Sequence, residues 1–176
     1  MISGPVFAFY LADGSEYSYF DLGAIDETAM LDSEQLVTQS TSTADSWSQT
    51  LQGIRFGLLD EFSVDKAKAI IDSTTSCIVI PSKYYLWVLQ KLFDDYGMSF
   101  TSFNGENVFL DSCLLTFDLP SLYFLVGGYW YQADPADWIV ISDDRCFVCL
   151  QQGEDDWVLG TALMKGYYST FDLDSL

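Results

Sequence analysis

The sequence predicts a mainly β, single-domain protein, and three observations carry that prediction. First, 49% of the 176 residues are hydrophobic and 16% aromatic, enough to fill one sizeable core. Second, the apolar residues fall in short runs broken by turn-forming residues, the pattern of strands. Third, a single segment departs from that pattern and follows the helical period.

The elements follow in chain order. "PVFAFYLA" ends at Asp13-Gly14 and is followed by "EYSYFDLGAI", which predicts a hairpin. The polar tract Leu31 to Ser46 predicts a surface excursion, too short and mixed for an interdomain linker. "DSWSQTLQGIRFG" alternates around Trp47, Leu51, Ile54 and Phe56, with Gly53 and Gly57 expected to mark turns. "KAKAIID" and "SCIVIP" then bracket a hydroxyl-rich stretch, Asp72-Ser73-Thr74-Thr75-Ser76. In "SKYYLWVLQKLFDDYG", residues Tyr85, Val88, Leu89, Leu92 and Tyr96 recur at helical spacing. Ser82 is the candidate N-cap of this amphipathic helix and Gly97 its candidate stop. Tyr84 and Trp87 are expected at the core or its rim rather than on a binding platform. Further strand candidates are "NVFLDSCLLTF", "LYFLVGGYWYQ", "WIVISDD", "CFVCLQ" and "YYSTFDL".

Composition excludes several functions. The net charge is -19, from 26 acids and 7 bases, so no basic stripe exists to neutralise phosphates. Nucleic acid and anionic membranes are therefore poor partners. Self-repulsion among so many carboxylates is partly relieved in acid, which suits an acidic compartment, although solubility alone also accounts for the bias. With no histidine in the chain, Ser-His and Cys-His nucleophiles and imidazole metal ligands are excluded. Catalysis would have to use carboxylates, hydroxyls, thiols or lysines, with no cofactor or metal implied. The four cysteines lack paired zinc-site spacing, and composition leaves open disulfides or buried thiols. No apolar run is long enough for a membrane helix. "MISGPVFAFYL" has neither a basic n-region nor a long apolar stretch, so these residues are not a secretory signal. The expectation is a cytosolic protein or a fragment whose targeting segment lies upstream.

Asp72 is the one acid set in an otherwise apolar and hydroxyl-bearing strand pattern. Such surroundings predict a raised carboxyl pKa, with neighbouring hydroxyls to orient the group. The stretch Ile70-Ile71-Asp72-Ser73-Thr74-Thr75-Ser76, followed by Pro81 and a helix, resembles the active-site loop of pepsin-like aspartic proteases. The resemblance continues in register on both sides. "PVFAFYLA" and "FDLGAIDETAM" are similar to the strands that open the family's C-terminal lobe. "WSQTLQGIRFG" is similar to its Trp-containing strand pair. "DLPSLYFLVGGYWYQADPADWIV" shares Leu119, Pro120, Phe124, Gly128, Tyr131 and Pro135 with the family pattern. "DDWVLGTALMKGYYSTFDLD" matches the late hydrophobic-hydrophobic-Gly element at Val158, Leu159 and Gly160.

The resemblance implies that residues 1-176 form one lobe of the pepsin-like acid protease fold, the C-terminal one, with the N-terminal lobe absent from them. Asp72 would be one of two catalytic aspartates, with Ser73 and Thr75 supporting its loop. Ser73 would supply hydroxyl bonds between lobes, and Thr74, Ser76 and Val158 would face substrate. Cys113 and Cys146 match the positions of a family disulfide, whereas Cys77 and Cys149 have no counterpart and are expected as small buried hydrophobes. The implied partners are a peptide or protein substrate and a second Asp-bearing lobe, either another chain or a homodimer mate. The family is mostly secreted or lysosomal/vacuolar. Three departures stand out: Thr74 for glycine, Ile80 for the glycine before Pro81, and Thr161 for the Asp after Gly160. They leave a second expectation open, a catalytically inactive pepsin-like module acting as a structural or binding subunit. The strands "PVFAFYLA" and "YYSTFDL" are expected on the face where another lobe would pack.

Overall fold

The computed structural model describes residues 4–12, 17–26, 28, 37–42, 46–103, 108–143 and 145–173. Over these residues the architecture is mainly β, built on three sheets. The largest has seven strands. It contains β3 (Ser48–Phe56), β4 (Asp60–Ile71), β5 (Ile78–Pro81), β8 (Leu122–Val126), β9 (Tyr129–Ala133), β12 (Leu150–Gly153) and β13 (Trp157–Leu159), in the order β12-β5-β13-β4-β3-β8-β9. A four-stranded sheet is formed by β6 (Phe100–Phe103), β7 (Val108–Leu110), β10 (Ile139–Ser142) and β11 (Arg145–Val148). In the third, β1 (Val6–Tyr10) lies between β2 (Tyr19–Leu22) and β14 (Tyr168–Asp172).

The expected first hairpin is present: β1 and β2 pair antiparallel, with Tyr10 opposite Tyr19. Its turn, residues 13–16, lies outside the described residues, as do residues 31–36 and 43–45 of the polar tract. What is described of that tract runs over the surface, where the Gln39 side-chain amide donates to the Val126 carbonyl at 3.0 Å. Alternation in β1 sends Phe7 and Phe9 to one face of the small sheet and Ala8 and Tyr10 to the other. Phe7 stacks on Phe171 at 4.9 Å, and both rings meet Trp47 edge-on, which joins this sheet to the main body. Toward β2 the apolar surface is left open: Phe20 is 53% and Leu22 59% exposed.

Gly53 corrects the expected punctuation. It sits inside β3, where the register with β4 and β8 shifts, so it marks a bulge rather than a turn. Gly57 does begin the turn into β4.

The expected amphipathic helix is α1 (Ser82–Tyr96). It buries Tyr85, Val88 and Leu92 against the sheet, each contributing about 1.5–3 kcal/mol of apolar transfer. Leu89 and Tyr96 are half-buried beside them. Tyr84 and Trp87 pack within the molecule as expected: Trp87 lies 4.4 Å from the Phe62 ring and Tyr84 5.8 Å from Trp157. The start of the helix differs from expectation. Pro81 occupies the cap position without a side-chain bond, and Ser82 is already helical. The Ser82 hydroxyl and N–H are drawn instead to the Glu154 carbonyl, at 3.3 and 3.2 Å. Gly97 ends the helix at φ 69°, a left-handed conformation that glycine adopts without strain, and the N–H of Met98 reaches the Leu92 carbonyl.

Two four-residue helices were not foreseen, α2 (Pro135–Trp138) and α3 (Thr161–Met164). α2 opens with a capping box between Asp134 and Asp137. No helix among the described residues is long and apolar enough to cross a membrane.

Both disulfides bear on the sequence expectations. Cys113 is bonded to Cys146, as the resemblance implied. Cys77 and Cys149 are buried, but they are not separate thiols: they form a second disulfide. Their strands explain the encounter. β5 and β12 run parallel side by side, with Ile78 opposite Leu150, so the residue before each is brought within bonding reach of the other.

Candidate active site

The site grows out of a crossing in the large sheet. β4 runs up to Ile71, the chain loops through residues 72–77, and β5 leaves, but the two strands do not pair with each other. β13 is inserted between them, parallel to β4 with Val158 opposite Ile70, and antiparallel to β5 with Val158 opposite Val79. The loop is therefore suspended over the end of a strand that comes from much later in the chain.

Backbone bonds fix the loop on that strand end. The N–H of Asp72 donates to the Leu159 carbonyl at 3.2 Å, and that of Ile71 to the Trp47 carbonyl at 2.8 Å. The N–H groups of Thr161 and Ala162 donate to the carbonyls of Thr75 and Ser76 at 2.8 and 3.0 Å. The Thr161 hydroxyl adds a third bond, to the Ser76 carbonyl at 3.2 Å. These contacts require Gly160. A Cβ there would stand 2.2 Å from the Thr75 carbonyl oxygen and 2.4 Å from that of Cys77. The Cys77–Cys149 disulfide pins the far end of the same loop, beside the bond from the Ile78 N–H to the Cys149 carbonyl at 3.0 Å.

The Asp72 carboxylate is half-buried and holds three donors. Oδ1 accepts from the Thr74 N–H at 2.8 Å and from the Thr74 hydroxyl at 2.7 Å. Oδ2 accepts from the Thr75 hydroxyl at 2.8 Å. This reverses the expected shift in acidity. The Thr74 hydroxyl is the largest influence and holds the carboxyl below its usual range, assisted by the Thr74 N–H and the Thr75 hydroxyl; desolvation pulls upward and is outweighed. The physical reason is position: β4 ends at Ile71, so Asp72 projects from the loop rather than from the apolar strand.

The other candidates distribute around this group. Thr75 touches the carboxylate directly, and Thr74 does so through both backbone and side chain. Ser73 is half-buried, and its hydroxyl makes no hydrogen bond among the described residues. Ser76 acts through its carbonyl, as acceptor for α3. Val158 sits mid-strand in β13 and takes no part in the bonds to Asp72. Cys113–Cys146 lies apart from these residues, bridging the segment after β7 to β11. Three contributors escaped the sequence reading: Trp47 through its carbonyl, Thr161 and Ala162 as the loop clamp, and Cys77–Cys149. Only the last had any local signal, the even cysteine count.

Chemically, a carboxylate held in the charged form with an accessible oxygen can take a proton from water or share one with a second carboxylic acid. Comparison with known proteins identifies the family. The family described as eukaryotic aspartyl protease matches residues 1–176. Gastricsin of Oryctolagus cuniculus is 28% identical over 192 residues, covering 98% of this chain and 45% of that protein. Gastricsin of Homo sapiens is 25% identical over 185 residues, with 98% and 45% covered. Pepsin A of Sus scrofa is 28% identical over 180 residues, with 98% and 44% covered. The chain thus spans less than half the length of these relatives.

Proposed function

The chain belongs to the eukaryotic aspartyl protease family, and from that premise we propose that it supplies one half of an aspartic endopeptidase site. In this reading Asp72 is one of two catalytic aspartates, and a second Asp-bearing lobe, in the same polypeptide or another, supplies the other. The observation that carries the proposal is the Asp72 carboxylate itself, presented at a strand crossing and held by three donors.

Hydrolysis of a peptide bond without a covalent intermediate needs a water deprotonated while the amide is protonated. Two carboxylates about 3 Å apart cannot both ionise, so they share one proton and serve both needs. The donors on Asp72 favour its charged form, which makes it the base that receives the water proton, while the partner aspartic acid gives its proton to the leaving amine. Thr75 fixes the orientation of the carboxylate, and the Ser73 hydroxyl, unbonded among the described residues, is available to the loop of the second lobe. Thr74, Ser76 and Val158 are the substrate-side candidates. The open apolar surface along β2, contiguous with β1 and β14, is where another lobe would pack.

A second reading, a non-catalytic binding or structural module, is favoured by one observation: the Thr74 side chain stands beside Oδ1, where the family pattern has glycine. The test is cleavage of an unfolded protein at about pH 4 by the chain assembled with a second Asp-bearing lobe. Cleavage that a transition-state-mimicking peptide blocks, and that Asp72→Asn abolishes, is the expected result. Persistence of cleavage in Asp72→Asn overturns the catalytic reading. An inert assembly that Thr74→Gly switches on establishes the second one.

A further inference from the structure

We infer that the Cys77–Cys149 disulfide is a positioning tether for Asp72, holding the folded-back shape of the active-site loop against a second part of the chain. The inference rests on the proposed function for its catalytic meaning, but its physical content is which segments grip the loop. The bonds from the β13 end come from one short stretch. Leu159 accepts from the Asp72 N–H, and Thr161 and Ala162 donate to the carbonyls of Thr75 and Ser76. A loop gripped by residues 159–162 alone could shift with them as one piece. Its far end is held from elsewhere. Cys77 is bonded to Cys149, the Ile78 N–H donates to the Cys149 carbonyl at 3.0 Å, and the Cys149 N–H donates to the Trp138 carbonyl at 2.7 Å. Trp138 is fully buried, so this line of contacts runs from the core into the loop.

Between the two anchors, Asp72 on Leu159 and Cys77 on Cys149, the chain has only residues 73–76 to turn in. The Thr75 N–H donates back to the Asp72 carbonyl at 3.3 Å, so this short span folds on itself. That turn brings the N–H and hydroxyl of Thr74 and the hydroxyl of Thr75 onto the carboxylate. Freeing position 77 would let the span lengthen and carry those donors away. A hydrogen bond at that end opens and closes in thermal motion, whereas a disulfide opens only when a thiolate reaches a sulfur. Both cysteines are buried, which closes off that route in the folded chain. Cys113–Cys146 grips no residue of the loop and supplies the internal comparison.

The experiment compares two double variants of this chain, Cys77→Ala/Cys149→Ala and Cys113→Ala/Cys146→Ala, each lacking one disulfide. Amide hydrogen exchange reads the loop, and a carbon-13 titration of the carboxyls reads Asp72, whose signal is assigned by its loss in Asp72→Asn. In the first variant the amides of Asp72, Thr161 and Ala162 should lose protection roughly fivefold to tenfold relative to those of β3 and β8, the weight of one local bond. The Asp72 midpoint should rise there, because the loosened turn withdraws the Thr74 hydroxyl, the largest influence on its acidity. In the second variant the midpoint should stay at the wild-type value. A loss of protection without a rise in the midpoint makes the bond merely structural and overturns the inference, as does an equal rise in both variants. Stepwise reduction of the folded wild type with dithiothreitol repeats the comparison without a substitution, thiol alkylation showing which bond is open. The Asp72 signal should move with the opening of Cys77–Cys149; movement with Cys113–Cys146 overturns the tether. Neither reading depends on proteolysis, so the tether can fail while the catalytic reading survives, and an inert assembly leaves the tether standing.

Discussion

Replacing Gly160 by alanine tests the suspended loop directly. Gly160 has φ -84° and ψ -162°, a conformation open to alanine, so the backbone itself raises no objection. The obstacle is space. The new methyl would lie 2.2 Å from the Thr75 oxygen, 2.4 Å from the Cys77 oxygen and 2.9 Å from the Thr75 carbonyl carbon, all of them main-chain atoms. Separation to ordinary contact needs a movement of about 1 Å, and overpacking of this kind costs about 1–3 kcal/mol. The same movement stretches the bonds from Thr161 to Thr75 and from Ala162 to Ser76, each worth about 1 kcal/mol. The sum is about 3–5 kcal/mol, or a drop in Tm of roughly 10 °C for a chain of this length. Gly153→Ala is the control. Its methyl would meet Val79 Cγ1 at 2.5 Å, a side-chain tip that can rotate away, so a loss of about 1 kcal/mol is expected. Thermal unfolding followed by circular dichroism, with urea melts for the free energies, measures both. A Gly160→Ala protein that melts within about 3 °C of wild type refutes the claim that the loop rests against β13.

Two more expectations concern covalent and titratable anchors. The disulfides close sequence separations of 72 and 33 residues, so each constrains the unfolded chain by about 4 kcal/mol in the chain-entropy account. Urea melts of a Cys77→Ser/Cys149→Ser double variant should show a loss of that order, and thiol titration of denatured wild type should find none before reduction and four after. Burial, with the Asp21 carboxylate adding to it, pushes the Tyr168 phenol up to about 12. The neutral form is thus the one the fold favours: its stabilisation is complete below the ordinary tyrosine pKa of about 10 and is lost as the pH climbs through the folded value. Burial raises other tyrosines too, Tyr85, Tyr131 and Tyr167 among them, so phenolate absorbance should lose one tyrosine's worth of its late-titrating amplitude in Tyr168→Phe; an unchanged late amplitude would refute the assignment.

Most strands, the hairpin and α1 were legible in the sequence because their signals are local: alternation in "PVFAFYLA", helical spacing from Tyr85 to Tyr96, a glycine at position 97; the exception is "NVFLDSCLLTF", where only Val108–Leu110 is a strand and Cys113–Phe117 is a 3-10 helix. What escaped was set by residues distant in sequence. Gly53 looks like a turn in isolation and becomes a bulge only because β4 and β8 flank it. Ser82 has the chemistry of an N-cap, yet the Glu154 carbonyl claims its donors. Cys77 and Cys149 meet because β5 and β12 are neighbours, a pairing that no spacing along the chain encodes. Family resemblance singles out Asp72 as a candidate, while composition points its acidity the wrong way. Apolar neighbours in sequence suggested desolvation, and the loop instead supplies three donors.

The insertion of β13 between β4 and β5 carries a temporal consequence. On the ribosome, Asp72 emerges well before Trp157–Leu159, and until those later residues arrive the acid has neither its supporting ledge nor the amides of Thr161 and Ala162. A nascent polypeptide therefore carries the acid without the bonds that fix its loop until those residues have emerged. Fixing of this loop is deferred until residues 157–162 have been made, and a chain interrupted before residue 157 cannot complete it.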